Sequence, residues 1–86
     1  ESISFLEVHP NPVSNYLSVQ FNAINAERCH ISLIDVLGKK VDNLSDKNTS
    51  LGINYFSFDM KNYLPGIYFL QIKMPTITKI KKVIIK

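Results

Sequence analysis

The segment Tyr16-Leu17-Ser18-Val19-Gln20-Phe21 alternates apolar and polar residues without a break, and that period of two recurs along the chain. Successive side chains of a strand point to opposite faces, so Leu17, Val19 and Phe21 belong to one face. No stretch holds a helical period for three turns, which confines the chain to β-architecture. Turn-forming residues interrupt the pattern about every ten residues, as they do in an antiparallel sandwich.

Ile3, Phe5, Leu6 and Val8 read as a first strand, stopped by Pro10 and Pro12, which cannot donate to a ladder. After the Tyr16–Phe21 strand, residues 22–28 form a polar turn, and Cys29, Ile31 and Leu33 alternate with His30, Ser32 and Ile34. Asp35-Val36-Leu37-Gly38-Lys39-Lys40-Val41 has the composition of a hairpin: Gly38 tolerates positive φ, and Asp35 can accept from nearby backbone amides. Residues 42–52 form the longest polar stretch and are expected to be a mobile loop. Residues 54–59 are strand-like, with Phe56 and Phe58 on one face, and residues 59–64 suggest a single helical or 3₁₀ turn capped by Asp59. Pro65-Gly66 then leads into a strand placing Tyr68, Leu70, Ile72 and Met74 on one side, and a last strand runs over about residues 78–85. The expected fold is an all-β, immunoglobulin-like antiparallel sandwich of about seven strands, with a small barrel as its competitor.

The 86 residues suffice for one domain. Such a chain buries only roughly 60–65% of its unfolded surface, so its core is thin. No apolar run approaches the ~18 residues of a membrane helix, and direct membrane insertion is not expected. Glu1 is not a start methionine, so the chain reads as a fragment of a larger protein. The distribution of charge is uneven. From Lys73 onward there are five lysines and no acid, so the preceding 72 residues carry −2 of the net +3.

No catalytic constellation is visible. Cys29 and His30 are adjacent on a strand and point to opposite faces, so they cannot act as nucleophile and base, and a plain buried thiol is expected. Two separated histidines and one thiol fall short of a tetrahedral zinc site. Asp35, Asp42, Asp46 and Asp59 sit at predicted turns, where capping accounts for them, with calcium between two loops as the remaining alternative. Gly38, Gly52 and Gly66 stand too far apart for a phosphate loop, and no cofactor is implied. The basic tail lacks the interleaved stacking aromatics of a nucleic-acid reader. Its isoleucines and valine suggest a strand with an apolar inner and a lysine-bearing outer face, which also discourages edge-to-edge aggregation. Four tyrosines leave a carbohydrate-binding or adhesion module as the rival class, to be favoured by a groove lined by Tyr55 and Tyr63.

Four motifs occur in fixed order: Pro10-Asn11-Pro12 before Tyr16-Leu17-Ser18-Val19; Asp35-Val36-Leu37-Gly38-Lys39; Leu64-Pro65-Gly66-Ile67-Tyr68; and a closing lysine-bearing apolar strand from Lys79 to Lys86. In this arrangement the chain resembles the type A C-terminal sorting domain of the type IX secretion system of Bacteroidetes. The Leu-Pro-Gly turn lacks a spacer residue that the family sometimes carries. The resemblance implies a non-enzymatic address label at the end of a secreted cargo protein, read by the outer-membrane translocon after the cargo reaches the periplasm. It further implies removal by a cell-surface sortase at or before Glu1, with the cargo released or joined to lipopolysaccharide. Recognition is expected at Lys79, Lys81, Lys82, Val83, Ile84, Ile85 and Lys86, by strand edge, shape and charge. Pro10, Asn11, Pro12, Asp35, Gly38, Lys39, Leu64, Pro65, Gly66 and Tyr68 are expected to serve the fold.

Overall fold

A computed structural model describes residues 3–86, apart from the side chain of Phe5, so the expectations for Glu1 and for the Phe5 side chain lie outside the described residues. Seven strands succeed one another: β1 (Ile3–His9), β2 (Tyr16–Ala23), β3 (Arg28–Asp35), β4 (Lys40–Asn48), β5 (Gly52–Asp59), β6 (Gly66–Lys73) and β7 (Thr78–Ile85). They form a three-stranded sheet in the order β1-β2-β5 and a four-stranded sheet in the order β4-β3-β6-β7. Every strand pair is antiparallel. This is the immunoglobulin-like sandwich that the alternation predicts.

The inner faces follow the period of two. Leu17, Val19, Phe21 and Ala23 of β2 oppose Cys29, Ile31 and Leu33 of β3 and Leu70 and Ile72 of β6, all buried in one apolar cluster. Phe56 extends that cluster toward one side, its ring stacked 5.9 Å from Phe21 and 6.0 Å from Phe58. The buried polar residue Thr49 is satisfied: its hydroxyl accepts from the Glu27 amide at 3.0 Å and can donate to the Asn25 or Glu27 carbonyl at 3.2 Å.

Two local expectations are corrected. Residues 42–52 are not a long mobile loop, because most of them form β4, which pairs with β3 from Arg28↔Asn48 to Ile34↔Lys40. The strand shows little alternation because it is an edge strand with bulges, and only Leu44 packs on the core. Its polar residues close the side of the sandwich: Asp42 accepts from the Tyr63 hydroxyl at 2.6 Å, and Lys47 Nζ lies 5.0 Å from the Phe56 ring centroid. Asp42 and Asp46 are therefore strand residues and not turn residues. After β5 the chain makes turns and no helix. Asp59 does cap them, accepting from the Lys61 amide at 2.9 Å, while the Tyr63 amide donates to the Met60 carbonyl at 3.3 Å.

Candidate recognition site

The four sequence motifs, spread along the chain, meet at one end of the sandwich. Antiparallel pairing carries His9 beside Ser18, Tyr16 beside Asp59, Asp35 beside Tyr68 and Gly66 beside Ile85. Val13 joins the two sheets there through a parallel bridge to Ile85.

Each motif has a local reason for its shape. In the β3–β4 hairpin Gly38 has φ +84°, which L side chains rarely adopt. Asp35 Oδ1 accepts from the amides of Leu37 and Lys39, both at 2.9 Å, fixing the turn from inside. In the Leu64–Tyr68 segment the Tyr68 hydroxyl reaches back and donates to the Leu64 carbonyl at 2.6 Å, so the turn closes on its own tyrosine.

The Pro10-Asn11-Pro12 segment works over a longer range. The Asn11 side-chain amide donates to the Lys82 carbonyl at 2.9 Å, and its Oδ1 accepts from the Ile84 amide at 2.9 Å. An asparagine side chain thus imitates a peptide group alongside β7. Two residues on, the Val13 amide donates to the Ile84 carbonyl at 2.8 Å and the Val13 carbonyl accepts from Lys86 at 2.9 Å. Together these bonds clasp the outer edge of β7 from Lys82 to Lys86. Because β7 ends its sheet, that edge would otherwise offer open backbone groups to any passing strand. The C-terminal half of the expected recognition edge is therefore already occupied by the chain itself.

The side chains of β7 are also arranged otherwise than expected. Val83 and Ile85 point inward and are buried with Val13 in the core. Strict alternation then puts Lys79 and Lys81 on the same side as Val83 and Ile85, in register with Ile72 and Leu70 on the neighbouring strand. Ile80, Lys82 and Ile84 lie on the outer face of the sheet. The lysines are consequently split between two faces, and Ile80 stands exposed in their place on the outside. Sequence reasoning assigned Ile80 to the apolar inner face with the other isoleucines, which the structure overturns, and it missed Val13. Counting parity outward from Val83 would have found the first, whereas the role of Val13 depends on a contact between distant segments.

The remaining polar candidates have structural partners. Cys29 is buried in the core, and burial, with Asp46 nearby, pushes its thiol up to about 11. His30 lies on the opposite face, 3.3 Å from Asp46. Arg28 Nε donates to Asp46 at 2.7 Å, and this bond holds the Asp46 carboxyl below its ordinary value. Among the described residues no group of three or more His, Cys, Asp or Glu side chains is placed to hold a metal ion. Tyr55 lies on the outer face of the three-stranded sheet, its hydroxyl 3.0 Å from Ser18, while the Tyr63 hydroxyl meets Asp42 of the other sheet, so the two line no common groove. No helix is long and apolar enough to cross a membrane among the described residues.

The fold makes the chain a small immunoglobulin-like β-sandwich domain whose motif residues cap turns and clasp its last strand. The chain belongs to the secretion system C-terminal sorting domain family, whose profile matches residues 7–86. It is a C-terminal type IX secretion sorting signal, which implies interaction with the type IX machinery and export across the outer membrane to the cell surface or beyond. No curated protein matches the chain.

Proposed function

We propose that the folded domain, attached to the end of a larger secreted cargo, is read by the outer-membrane translocon at the end of the sandwich where β7 is clasped. Lys79, Lys81, Lys82 and Lys86 provide electrostatic steering, and Val83 and Ile85 anchor the strand that carries them. A cell-surface sortase then removes the domain ahead of β1, and the cargo is released or attached to lipopolysaccharide. One observation carries the reading: Asn11 and Val13 spend their hydrogen-bonding groups on fixing β7, so the motifs converge on presenting the last strand in a set position. A receptor serving unrelated cargoes needs a feature that stays the same whatever precedes it, and a clasped strand provides one.

Residues 1–86 fused to a fluorescent reporter that carries a signal peptide test this in a host possessing the system. The reporter is expected outside the cell and separated from the domain. Charge reversal at Lys81 and Lys82, both exposed, is expected to slow export without altering the melting temperature. Undiminished export of that variant would eliminate steering by these lysines.

A further inference from the structure

Among the described residues no other element covers the outer face of the four-stranded sheet, and its two halves differ in chemistry. Register defines one row straight across it, Lys40–Ile34–Phe69–Lys82, from β4 to β7. Ile34, Val36, Phe69 and Ile80, with Gly38 and an Asp35 whose Oδ1 is taken up by the Leu37 and Lys39 amides, line a shallow, mostly apolar depression at this level. Ile80 on β7 is 57% exposed, and Val36, in the adjoining β3–β4 turn, is 63% exposed. The other half holds a second depression lined by Arg28, His30, Lys40 and Lys73 together with Ser32 and Gln71. Asp46 pairs with Arg28 and His30 there, whereas among the described residues no ion pair forms with Lys40, Lys73 or Lys82.

Resting on the sorting reading, we infer that this face is a docking surface for a protein segment of the secretion machinery that carries an apolar side chain flanked by carboxylates. The apolar side chain seats on Ile34, Phe69 and Ile80, and the carboxylates meet Lys40 and Lys82. These two lysines stand three inter-strand spacings apart, on the order of 14 Å at the backbone. Charge complementarity selects the occupant. A second copy laid face to face would set the cations of one molecule against those of the other, which repels. A shallow depression between cations takes a protruding apolar side chain flanked by acids. The face lies beside the clasped edge of β7, so a partner reads the strand by its outer side chains and needs no free backbone.

Export of the reporter fusion tests the assignment with Ile80→Asp, Lys40→Glu combined with Lys82→Glu, and Leu51→Asp as a control. Leu51 is 73% exposed and lies in the β4–β5 connection, at the opposite end of the sandwich. Losing the Ile80 contact and setting a carboxylate against acidic groups is expected to weaken docking on the order of tenfold or more. The extracellular fraction should fall accordingly for Ile80→Asp and for the double lysine variant, at unchanged melting temperature, and stay normal for Leu51→Asp. If both face variants are exported like the parent, the docking face is refuted while the sorting reading stands. If the parent fusion itself stays in the periplasm, the sorting reading fails and takes this inference with it. Sedimentation of the purified domain with phosphatidylglycerol vesicles, abolished by Ile80→Asp, would make the face a lipid site and overturn the protein partner.

Discussion

Asn11→Ala removes the donor to the Lys82 carbonyl and the acceptor for the Ile84 amide, both bonds of 2.9 Å. A net intramolecular hydrogen bond contributes about 0.5–1.5 kcal/mol, which gives ~1–3 kcal/mol for the pair. Asn11 is exposed, so water reaches the two orphaned backbone groups and the lower part of that range applies, about 1–2 kcal/mol. For a domain of this size each kcal/mol lowers the Tm by ~4–8 °C, so thermal unfolding followed by circular dichroism should fall by about 4–16 °C. Hydrogen exchange locates the effect. The Ile84 amide should exchange ~5–30-fold faster, and Lys86, held by the Val13 carbonyl, should keep its bond unless the whole segment lifts. A variant with unchanged melting and unchanged exchange at Ile84 would show that Asn11 does not hold β7, and that the motif acts elsewhere.

The core predicts a larger loss: Leu33 is fully buried opposite Leu70, and Leu33→Ala should cost ~2–5 kcal/mol in urea unfolding. A loss under about 1 kcal/mol would mean that the sheets collapse into the gap. The Cys29 thiol, raised from 9.0 to about 11, stays protonated in the native state over a pH window in which the unfolded chain releases its proton. Stability should therefore fall as pH rises from about 9 to about 11, and urea midpoints should show less of that fall in Cys29→Ala. The Arg28 hydrogen bond lowers the Asp46 carboxyl from 3.8, so the pair stabilises the fold above that value and the benefit is lost as pH drops through the lowered one. Arg28→Ala should raise the Asp46 midpoint in an NMR titration, and an unmoved midpoint would remove Arg28 as the cause.

Some of this architecture is written locally. The period of two in β2, β3 and β6 names the inner face because a sheet with one buried side needs it, and the structure buries Leu17, Val19, Phe21, Ile31, Leu33, Leu70 and Ile72 accordingly. The Asp35–Gly38 turn is equally local, since its carboxylate, its amides and its positive φ all lie within five residues. β4 lacked such a signal. Its residues are mostly polar, and only pairing along β3 and cover over Phe56 and Tyr63 make it a strand.

The candidate site divides in the same way. The order of the four motifs, the basic character of the last strand and the opposite facing of Cys29 and His30 follow from residue type and neighbouring positions alone. Packing of the two sheets is what brings the motifs to one end of the sandwich, seals the edge of β7 with Asn11 and Val13, and parts Lys79 and Lys81 from Lys82 while Ile80 faces outward. The physical reason is that strand parity and edge cover are fixed by which face meets the core and which distant segment supplies the missing hydrogen bonds, and both are settled when the two sheets pack.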